Sequence, residues 1–171
     1  MKKHLLWPCR EYQSAYDIPY EDLYEDGFRG VIFDIDNTLV KHDAPADSRA
    51  RQLFADLEAI GFKTCLISNN TGPRAAGFAA EVGSAYISDA GKPKPESYRK
   101  SCEKMQVVSG QALFVGDQIF TDILGANLSG IRSFLVTPID KDPGVFLKFK
   151  RILEKPVLFL YHLTINKKAM K

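Results

Sequence analysis

The sequence lacks most of the features that mark secreted, zinc-stabilised or membrane-spanning chains. Its 171 residues include three cysteines, Cys9, Cys65 and Cys102, which form no CxxC pair. A scattered, odd set of this kind predicts neither a disulfide framework nor a zinc knuckle. The chain has no run of about 18 apolar residues, which a membrane-spanning helix needs, and residues 1–8 show no secretory signal. We therefore expect a cytoplasmic protein.

A strong net charge is also missing, but the charges are unevenly distributed. The formal net charge is +2, so the whole-chain balance says little about partners. Six acids and no Lys or Arg lie between Glu11 and Asp26, whereas Lys148 to Lys171 hold seven Lys or Arg and one acid. The length suits one domain. We divide the chain into a lead-in packed on the domain at 1–28, a main domain at 29–140 and a basic helical extension at 141–171.

The stretch from Val31 to Val40 carries two aspartates directly after a short apolar run. The run predicts a buried β-strand, and residues i and i+2 of a strand point to the same side. Asp34 and Asp36 can therefore project into one small volume beyond the strand. Two carboxylates held that close repel each other unless a cation lies between them, so the pattern indicates a divalent metal used in phosphate chemistry.

Strands and helices alternate through the rest of the main domain. After the first strand, further strands are predicted at 63–68, 85–88, 112–115 and 131–136, with helical patterns between them. Such alternation is typical of a parallel, doubly wound sheet with helices on both faces. We therefore predict an α/β fold, a three-layer Rossmann-like sandwich around a mostly parallel five-stranded sheet.

Acidic residues follow two of these strands at their carboxyl ends, where ligands bind in doubly wound sheets. The candidates are Asp34, Asp36, Asp117 and Asp122. Carboxylate oxygens are the ligands that Mg²⁺ prefers, so we expect Mg²⁺ as the cofactor.

Hydrogen-bond donors suited to phosphate lie at the same edge. Thr38 and Ser68 offer hydroxyl groups, Asn69 lies in a turn with exposed backbone N–H groups, and Lys92 follows the third strand. A carboxylate beside a metal and a lysine can attack phosphorus, and a second carboxylate can protonate the leaving oxygen and then deprotonate water. This combination points to phosphomonoester hydrolysis.

These motifs, in this order, resemble those of the haloacid-dehalogenase-like phosphatases over residues 28–136. The matching residues are Asp34-Ile-Asp36-Asn-Thr38, Ser68, Lys92-Pro-Lys-Pro95 and Gly116-Asp117 with Asp122. The resemblance implies that Asp34 is the nucleophile of an aspartyl-phosphate mechanism. It also implies that Asp36 is the general acid/base and that the metal takes the backbone carbonyl of Asp36.

The other motif residues receive roles from the same resemblance. Ser68 would bind phosphate, Lys92 would hold the phosphoryl group and the nucleophile, and Asp117 would bind Mg²⁺. Asp122 would support the metal or the lysine. Lys94 is an alternative motif lysine, and we favour Lys92 because it stands before Pro-x-Pro.

Short gaps between the motifs leave no room for a cap domain. Thirty-three residues separate Asp34 from Ser68, and twenty-three separate Ser68 from Lys92. This spacing resembles the capless branch of the family, and the lead-in, the Ser-Asn-Asn-Thr turn and the basic extension resemble its YqeG-type, phosphatidylglycerophosphatase-related group. An open site suits a phospholipid such as phosphatidylglycerophosphate at a membrane surface. A soluble or macromolecular phosphoester is the alternative, and the second subunit of a homo-oligomer could close the site instead.

The basic extension has two interpretations. Apolar residues at helical spacing alternate with Lys148, Lys150 and Arg151, and a second apolar run follows Pro156. The helix could lie on the anionic inner face of a membrane, where each Lys or Arg contributes about 1 kcal/mol, or it could pack on the domain with a solvated basic face. No aromatic–basic pattern recurs elsewhere, so we expect no nucleic-acid partner.

Two alternatives to a hydrolase come from other classes. A phosphorylation-switched receiver module also uses aspartates, Mg²⁺ and Lys on a doubly wound sheet, but its phosphorylated aspartate follows the third strand, whereas Asp34 and Asp36 follow the first. A non-catalytic scaffold would bind a partner through its tail, although the intact aspartate pair argues against it.

Overall fold

A six-stranded parallel sheet forms the centre of the computed structural model, which describes residues 4–70, 72–140 and 145–169. Within the last range, side chains are described for residues 152–164. The strands lie in the order β1-β6-β5-β2-β3-β4, and every neighbouring pair is parallel. Their bounds are β1 Arg10–Tyr12, β2 Gly30–Phe33, β3 Lys63–Ile67, β4 Ala85–Ile87, β5 Ala112–Gly116 and β6 Arg132–Val136.

The predicted α/β class and doubly wound arrangement are confirmed, but the sheet has six strands and not five. The additional strand, β1, lies in the lead-in and pairs with the edge of the sheet beside β6. It has three residues, and none of them is buried. A segment this short and polar has no hydrophobic periodicity that would predict a strand. It is a strand because its backbone hydrogen-bonds to the exposed edge of β6.

Helices cover both faces of the sheet and give the three predicted layers. One core lies between the sheet and α1, α2 and α3, and the other lies between the sheet and α4 and α5. The bounds are α1 Tyr20–Glu25, α2 Ser48–Ile60, α3 Gly72–Val82, α4 Pro95–Met105, α5 Leu124–Leu128 and α6 Val145–Ala169.

Strand β2 is fully buried at the centre of the sheet. All four of its residues are buried, and β3 and β5 flank it. Val31 and Phe33 enter one core and Ile32 enters the other, as expected for a strand covered on both faces. Residues that follow Phe33 therefore emerge at the middle of the sheet's carboxyl edge.

Helix α6 packs on the domain through one face. Val157 and Leu158 contact the cluster formed by Ile119, Ile123 and Leu135. Tyr161 is also buried. None of the helices in the described part of the chain is long and apolar enough to cross a bilayer.

Candidate active site

A cavity of about 170 Å³ opens at the carboxyl edge of the sheet, above β2 and β3. Five residues predicted for the site line it, namely Asp34, Asp36, Ser68, Asn69 and Lys92. Five more line it that were not predicted, namely Asn37, His42, Asn70, Gln118 and Thr121. The alternation of strands and helices thus brings distant loops together at the switch in strand order on either side of β2.

The floor of this site is a buried cluster of four charged residues: Asp34, Lys92, Asp117 and Asp122. The three carboxylates have oxygen atoms that lie within 4.8 Å of one another. Lys92 Nζ donates to Asp34 Oδ1, and it donates to Asp122 Oδ1 at 2.8 Å. All four residues are buried, so their interactions act with little screening by water.

Burial and crowding shift the pKa values of the floor. Burial raises the pKa of Asp34 well above its ordinary value; Lys92 opposes this shift, and Asp122 and Asp117 add to it. Burial disfavours the charged form of Lys92, but Asp122 and Asp34 outweigh burial and hold the pKa of its ammonium above the usual range. The cluster therefore has more negative charge than its single lysine can balance.

Asp122 organises the loop that follows β5. Its Oδ2 accepts the backbone N–H groups of Asp117 at 3.1 Å and Gln118 at 3.0 Å, while Oδ1 faces Lys92. A Cβ at Gly116 would lie 2.5 Å from Asp122 Oδ2. Only a glycine permits this close approach of the carboxylate to the backbone.

Ser68 and Asn69 shape the wall formed by the loop after β3. Ser68 Oγ accepts the backbone N–H of Asn70 at 3.0 Å, which forms a tight turn. Asn69 Oδ1 accepts the backbone N–H of Lys92 at 2.8 Å and thereby holds the lysine loop. Lys92 is buried and Lys94 is exposed, so of the two lysines the structure brings only Lys92 to Asp34.

The rim of the site is formed by Asp36 and its partners Asp43, Asn70 and Arg74. Asn70 Nδ2 donates to Asp36 Oδ2 at 2.7 Å, and Arg74 Nη2 donates to Asp36 Oδ1 at 2.6 Å. The backbone N–H of Asp43 donates to Asp36 Oδ1 at 3.0 Å. The Asp36 side chain is 14% exposed, so the carboxylate lies at the wetter side of the cavity.

Two further side chains lie near Asp36 without joining the floor. His42 is 59% exposed, with Nδ1 3.7 Å from Asp36 Oδ1, which is too long for a hydrogen bond. Thr38, predicted to bind phosphate, is buried and does not line the cavity. Its hydroxyl has no hydrogen-bond partner among the residues that the structure describes.

The floor fits a divalent cation. Asp34, Asp117 and Asp122 bring three buried carboxylates together against one ammonium group. A divalent cation would balance the remaining negative charge, and oxygen-only donors suit a hard metal. Both oxygens of Asp122 already accept hydrogen bonds, so Asp34 and Asp117 are the better-placed ligands. The Asp36 carboxylate lies apart from this set and groups with His42 and Asp43.

Three residues that support the site through hydrogen bonds were not identified from the sequence. Asn70 and Arg74 belong to the turn after β3 and the start of α3, and that turn was the available signal. Glu154 lies on α6, 35 positions beyond Ile119, and accepts the Ile119 backbone N–H at 2.7 Å. Glu154 is 5% exposed, and nothing in the local sequence relates it to the loop of Asp117.

The fold and the site have the chemistry that a phosphoryl-transfer enzyme needs, and comparisons with known proteins give the family. The family model described as haloacid dehalogenase-like hydrolase matches residues 42–130. The probable phosphatase YqeG of Bacillus subtilis is 31% identical over 159 residues, which are 92% of each chain. The chain belongs to the haloacid dehalogenase-like hydrolases. The expected activity class, a phosphatase that hydrolyses phosphomonoesters, is thereby confirmed.

Other similar proteins bear on substrate and fold. Phosphatidylglycerophosphate phosphatase 1 of Arabidopsis thaliana, a chloroplastic and mitochondrial protein, is 28% identical over 154 residues, which are 79% of this chain and 42% of that protein. The cobalt-bound structure of the deoxy-D-mannose-octulosonate 8-phosphate phosphatase YrbI from Haemophilus influenzae superposes with a TM-score of 0.54 at 16% identity. The superposition covers 73% of this chain and 75% of the YrbI chain. That likeness concerns the fold alone.

Proposed function

We propose that the protein is a Mg²⁺-dependent phosphomonoesterase that works through an aspartyl phosphate on Asp34. The observation that carries this proposal is the separation of two carboxylates that follow one strand. Asp34 contacts Lys92 on the buried floor, whereas Asp36 contacts Asn70 and Arg74 at the rim. Because their surroundings differ, the two carboxylates are suited to different roles, Asp34 as nucleophile and Asp36 as general acid/base.

The first step is the transfer of the phosphoryl group to Asp34. A carboxylate oxygen of Asp34 attacks phosphorus, the bond from phosphorus to the substrate oxygen breaks, and Asp36 donates a proton to the departing alcohol. Lys92 lies against Asp34 and offsets charge on the transferring group. A bound divalent cation would offset further charge, and Asp34, Asp117 and the backbone carbonyl of Asp36 would hold it.

The second step restores the enzyme. Asp36, now deprotonated, takes a proton from water, and the water oxygen attacks phosphorus. The bond from phosphorus to Asp34 breaks and inorganic phosphate leaves. Ser68 and the backbone around Asn69 line the cavity where the phosphate oxygens would lie. Family membership favours this hydrolase over the receiver module and the non-catalytic scaffold.

The test compares Asp34→Asn with Asp56→Asn. Asp56 is an exposed aspartate on α2 that accepts a hydrogen bond from Gln52. With p-nitrophenyl phosphate as substrate, Asp34→Asn should abolish turnover and Asp56→Asn should leave it unchanged. Chelator should stop the wild-type enzyme, and Mg²⁺ should restore it. Turnover by Asp34→Asn at the wild-type rate would end the proposal.

We further propose that the substrate is a phospholipid monoester such as phosphatidylglycerophosphate, reached from an anionic membrane surface. Support comes from the outward face of α6, where Ile152, Phe159 and Leu160 are 58%, 63% and 58% exposed. These apolar side chains lie in an extension rich in Lys and Arg, the combination that favours interfacial helices. The relative named after phosphatidylglycerophosphate adds support. The alternative is a soluble or macromolecular phosphoester.

Vesicle experiments separate these substrates. Phosphatidylglycerophosphate in anionic vesicles should be hydrolysed in preference to a panel of soluble phosphate esters. Phe159→Glu should weaken vesicle binding about tenfold, since a buried phenyl side chain contributes roughly 1.5–3 kcal/mol, and should spare the soluble esters. The matched control is Val108→Glu, at a loop valine that is 65% exposed. A clear preference for soluble esters would contradict the lipid proposal.

A further inference from the structure

Arg74 forms the closest ionic contact of Asp36. It lies in the first turn of α3, and its Nη2 donates to Asp36 Oδ1 at 2.6 Å. The side chains of Arg74 and Asp36 are 19% and 14% exposed. Partial burial of both partners strengthens such a charge-assisted hydrogen bond relative to one on the open surface.

A second contact fixes where the guanidinium lies. Nη2 also donates to the backbone carbonyl of Ala44 at 3.1 Å, and Nε lies 3.5 Å from Asp43 Oδ1. Arg74 therefore joins α3 to the loop that follows the catalytic strand. A lysine could supply the charge but not the planar group that reaches two loop partners at once.

Asn70 donates a further hydrogen bond to Asp36. Its Nδ2 holds Oδ2 at 2.7 Å, while Arg74 and the backbone N–H of Asp43 hold Oδ1. Both oxygens of Asp36 thus have partners outside the floor. Asp34, by contrast, faces Lys92. The two aspartates therefore pair with different cations, Asp34 with Lys92 of the loop after β4 and Asp36 with Arg74 of α3.

We propose that Arg74, assisted by Asn70, is a positioning residue that keeps Asp36 apart from the buried carboxylates and oriented for proton transfer to the leaving oxygen. The inference rests on the proposed function, because it assigns Asp36 the proton. Without Arg74 the Asp36 carboxylate loses its counter-charge and one of its three hydrogen-bond donors, so its orientation is less restricted. A misplaced general acid then serves poorly those leaving groups that need a proton to depart.

The experiment compares two leaving groups of similar shape in Arg74→Gln. The phenolate released from phenyl phosphate is basic and departs more readily when its oxygen is protonated, whereas the p-nitrophenolate released from p-nitrophenyl phosphate departs readily as an anion. General acid catalysis contributes roughly 100- to 10,000-fold, so we expect kcat/KM to fall roughly 10- to 100-fold more for phenyl phosphate than for p-nitrophenyl phosphate. Arg74→Lys should recover part of the difference, since it restores the charge.

Arg51→Gln is the matched control. Arg51 is an exposed arginine on α2 that pairs with Glu81 at 2.9 Å. Its loss should not lower kcat/KM for one substrate more than for the other. Circular dichroism and thermal melting check that each variant folds, and Arg74→Met, which also removes the charge, replaces the Gln variant if that variant does not fold. Equal losses for both substrates would overturn the positioning role. Turnover retained in Asp34→Asn would instead overturn the proposed function.

Discussion

The floor and the rim of the site hold carboxylates in opposite kinds of environment. On the floor, Asp34 and Asp122 are buried and share one buried lysine. At the rim, Asp36 is partly exposed and is held by groups from the turn and helix that follow β3. Two residues of one strand end, separated by a single position, therefore meet different dielectric surroundings and different counter-ions.

The difference between floor and rim explains how the residues after one strand can supply both a nucleophile and a general acid. The floor concentrates negative charge, which suits metal binding and attack on phosphorus. The rim surrounds one carboxylate with donors, which suits a group that must gain and lose a proton beside water. Substitutions on the floor should therefore affect stability and activity together, while those farther from it should have smaller effects.

Among changes that keep both aspartates of the strand end, the largest effect is expected for Lys92→Met. The change leaves the buried carboxylates of Asp34 and Asp122 without their ammonium partner, and breaking such a buried pair costs roughly 3–5 kcal/mol. Turnover should fall roughly 100- to 1,000-fold, since a positioned donor to the developing charge is lost. Urea unfolding in chelator and steady-state kinetics measure the two losses, and Mg²⁺ should restore part of the stability.

Lys94→Met is the control for this change. Lys94 lies two positions away and is exposed, so its loss should leave activity and unfolding within about 0.5 kcal/mol of wild type. Equal losses in the two variants would remove the distinction between the floor and its surrounding loop.

A pH-dependent loss of stability is expected next, in chelator. The pKa of Asp34 is raised in the folded state, chiefly by burial. The stability that Asp34 contributes is therefore complete below its unfolded pKa, about 4, and is lost as pH rises through the folded value. Asp34→Asn should flatten this fall in urea-unfolding free energy between pH 5 and 8, and Asp56→Asn should not. Identical profiles in all three proteins would show that the floor is less strained than its burial implies.

The floor is the part of the site that sequence reasoning could find. Asp34 and Asp117 directly follow buried apolar strands, so the side of the sheet that they face follows from strand geometry. Lys92 follows a short strand within a proline-rich loop. Their meeting depends on topology alone, and the alternation of strands and helices determines the topology.

The rim and the outer supports could not be found in this way. Arg74 reaches Asp36 across 38 positions because the fold places the start of α3 beside the loop that follows β2. Glu154 reaches Ile119 from α6, whose placement against the domain no periodicity specifies. Thr38, although it belongs to the aspartate motif, turns out to be buried beside the cavity and not in its lining. Side-chain direction in loops depends on tertiary packing, which sequence patterns do not record.

A smaller effect is expected for Glu154, which supports the floor from outside. Its Oε1 accepts the Ile119 N–H at 2.7 Å, and with Asp117 it lines a second cavity of about 520 Å³ under α6. Glu154→Ala leaves that N–H without its acceptor, at roughly 1–3 kcal/mol. Supporting residues outside the ligand set typically alter metal affinity about 10- to 100-fold, so the Mg²⁺ concentration for half-maximal activity should rise.

Glu154→Gln tests the same contact more gently. The amide oxygen can still accept the Ile119 N–H, so the Gln variant should retain most of the Mg²⁺ affinity that the Ala variant loses. Calorimetric titration with Mg²⁺ measures both. If the two variants lose affinity equally, the negative charge of Glu154, and not its hydrogen bond, is what supports the floor.

The smallest effect is expected for Thr38→Val, which tests the boundary of the site. The Thr38 hydroxyl is buried, lies outside the cavity lining and has no hydrogen-bond partner among the described residues. Replacing an unpartnered buried hydroxyl by a methyl group should leave the free energy of unfolding unchanged or raise it by about 1 kcal/mol.

The KM for p-nitrophenyl phosphate in Thr38→Val should stay within about twofold of wild type. Ser68→Ala, which alters a residue in the cavity wall, should raise this KM, since one hydrogen bond contributes roughly 0.5–1.5 kcal/mol. A KM raised by Thr38→Val as much as by Ser68→Ala would show that the hydroxyl turns into the cavity when phosphate binds, and Thr38 would then belong to the binding wall.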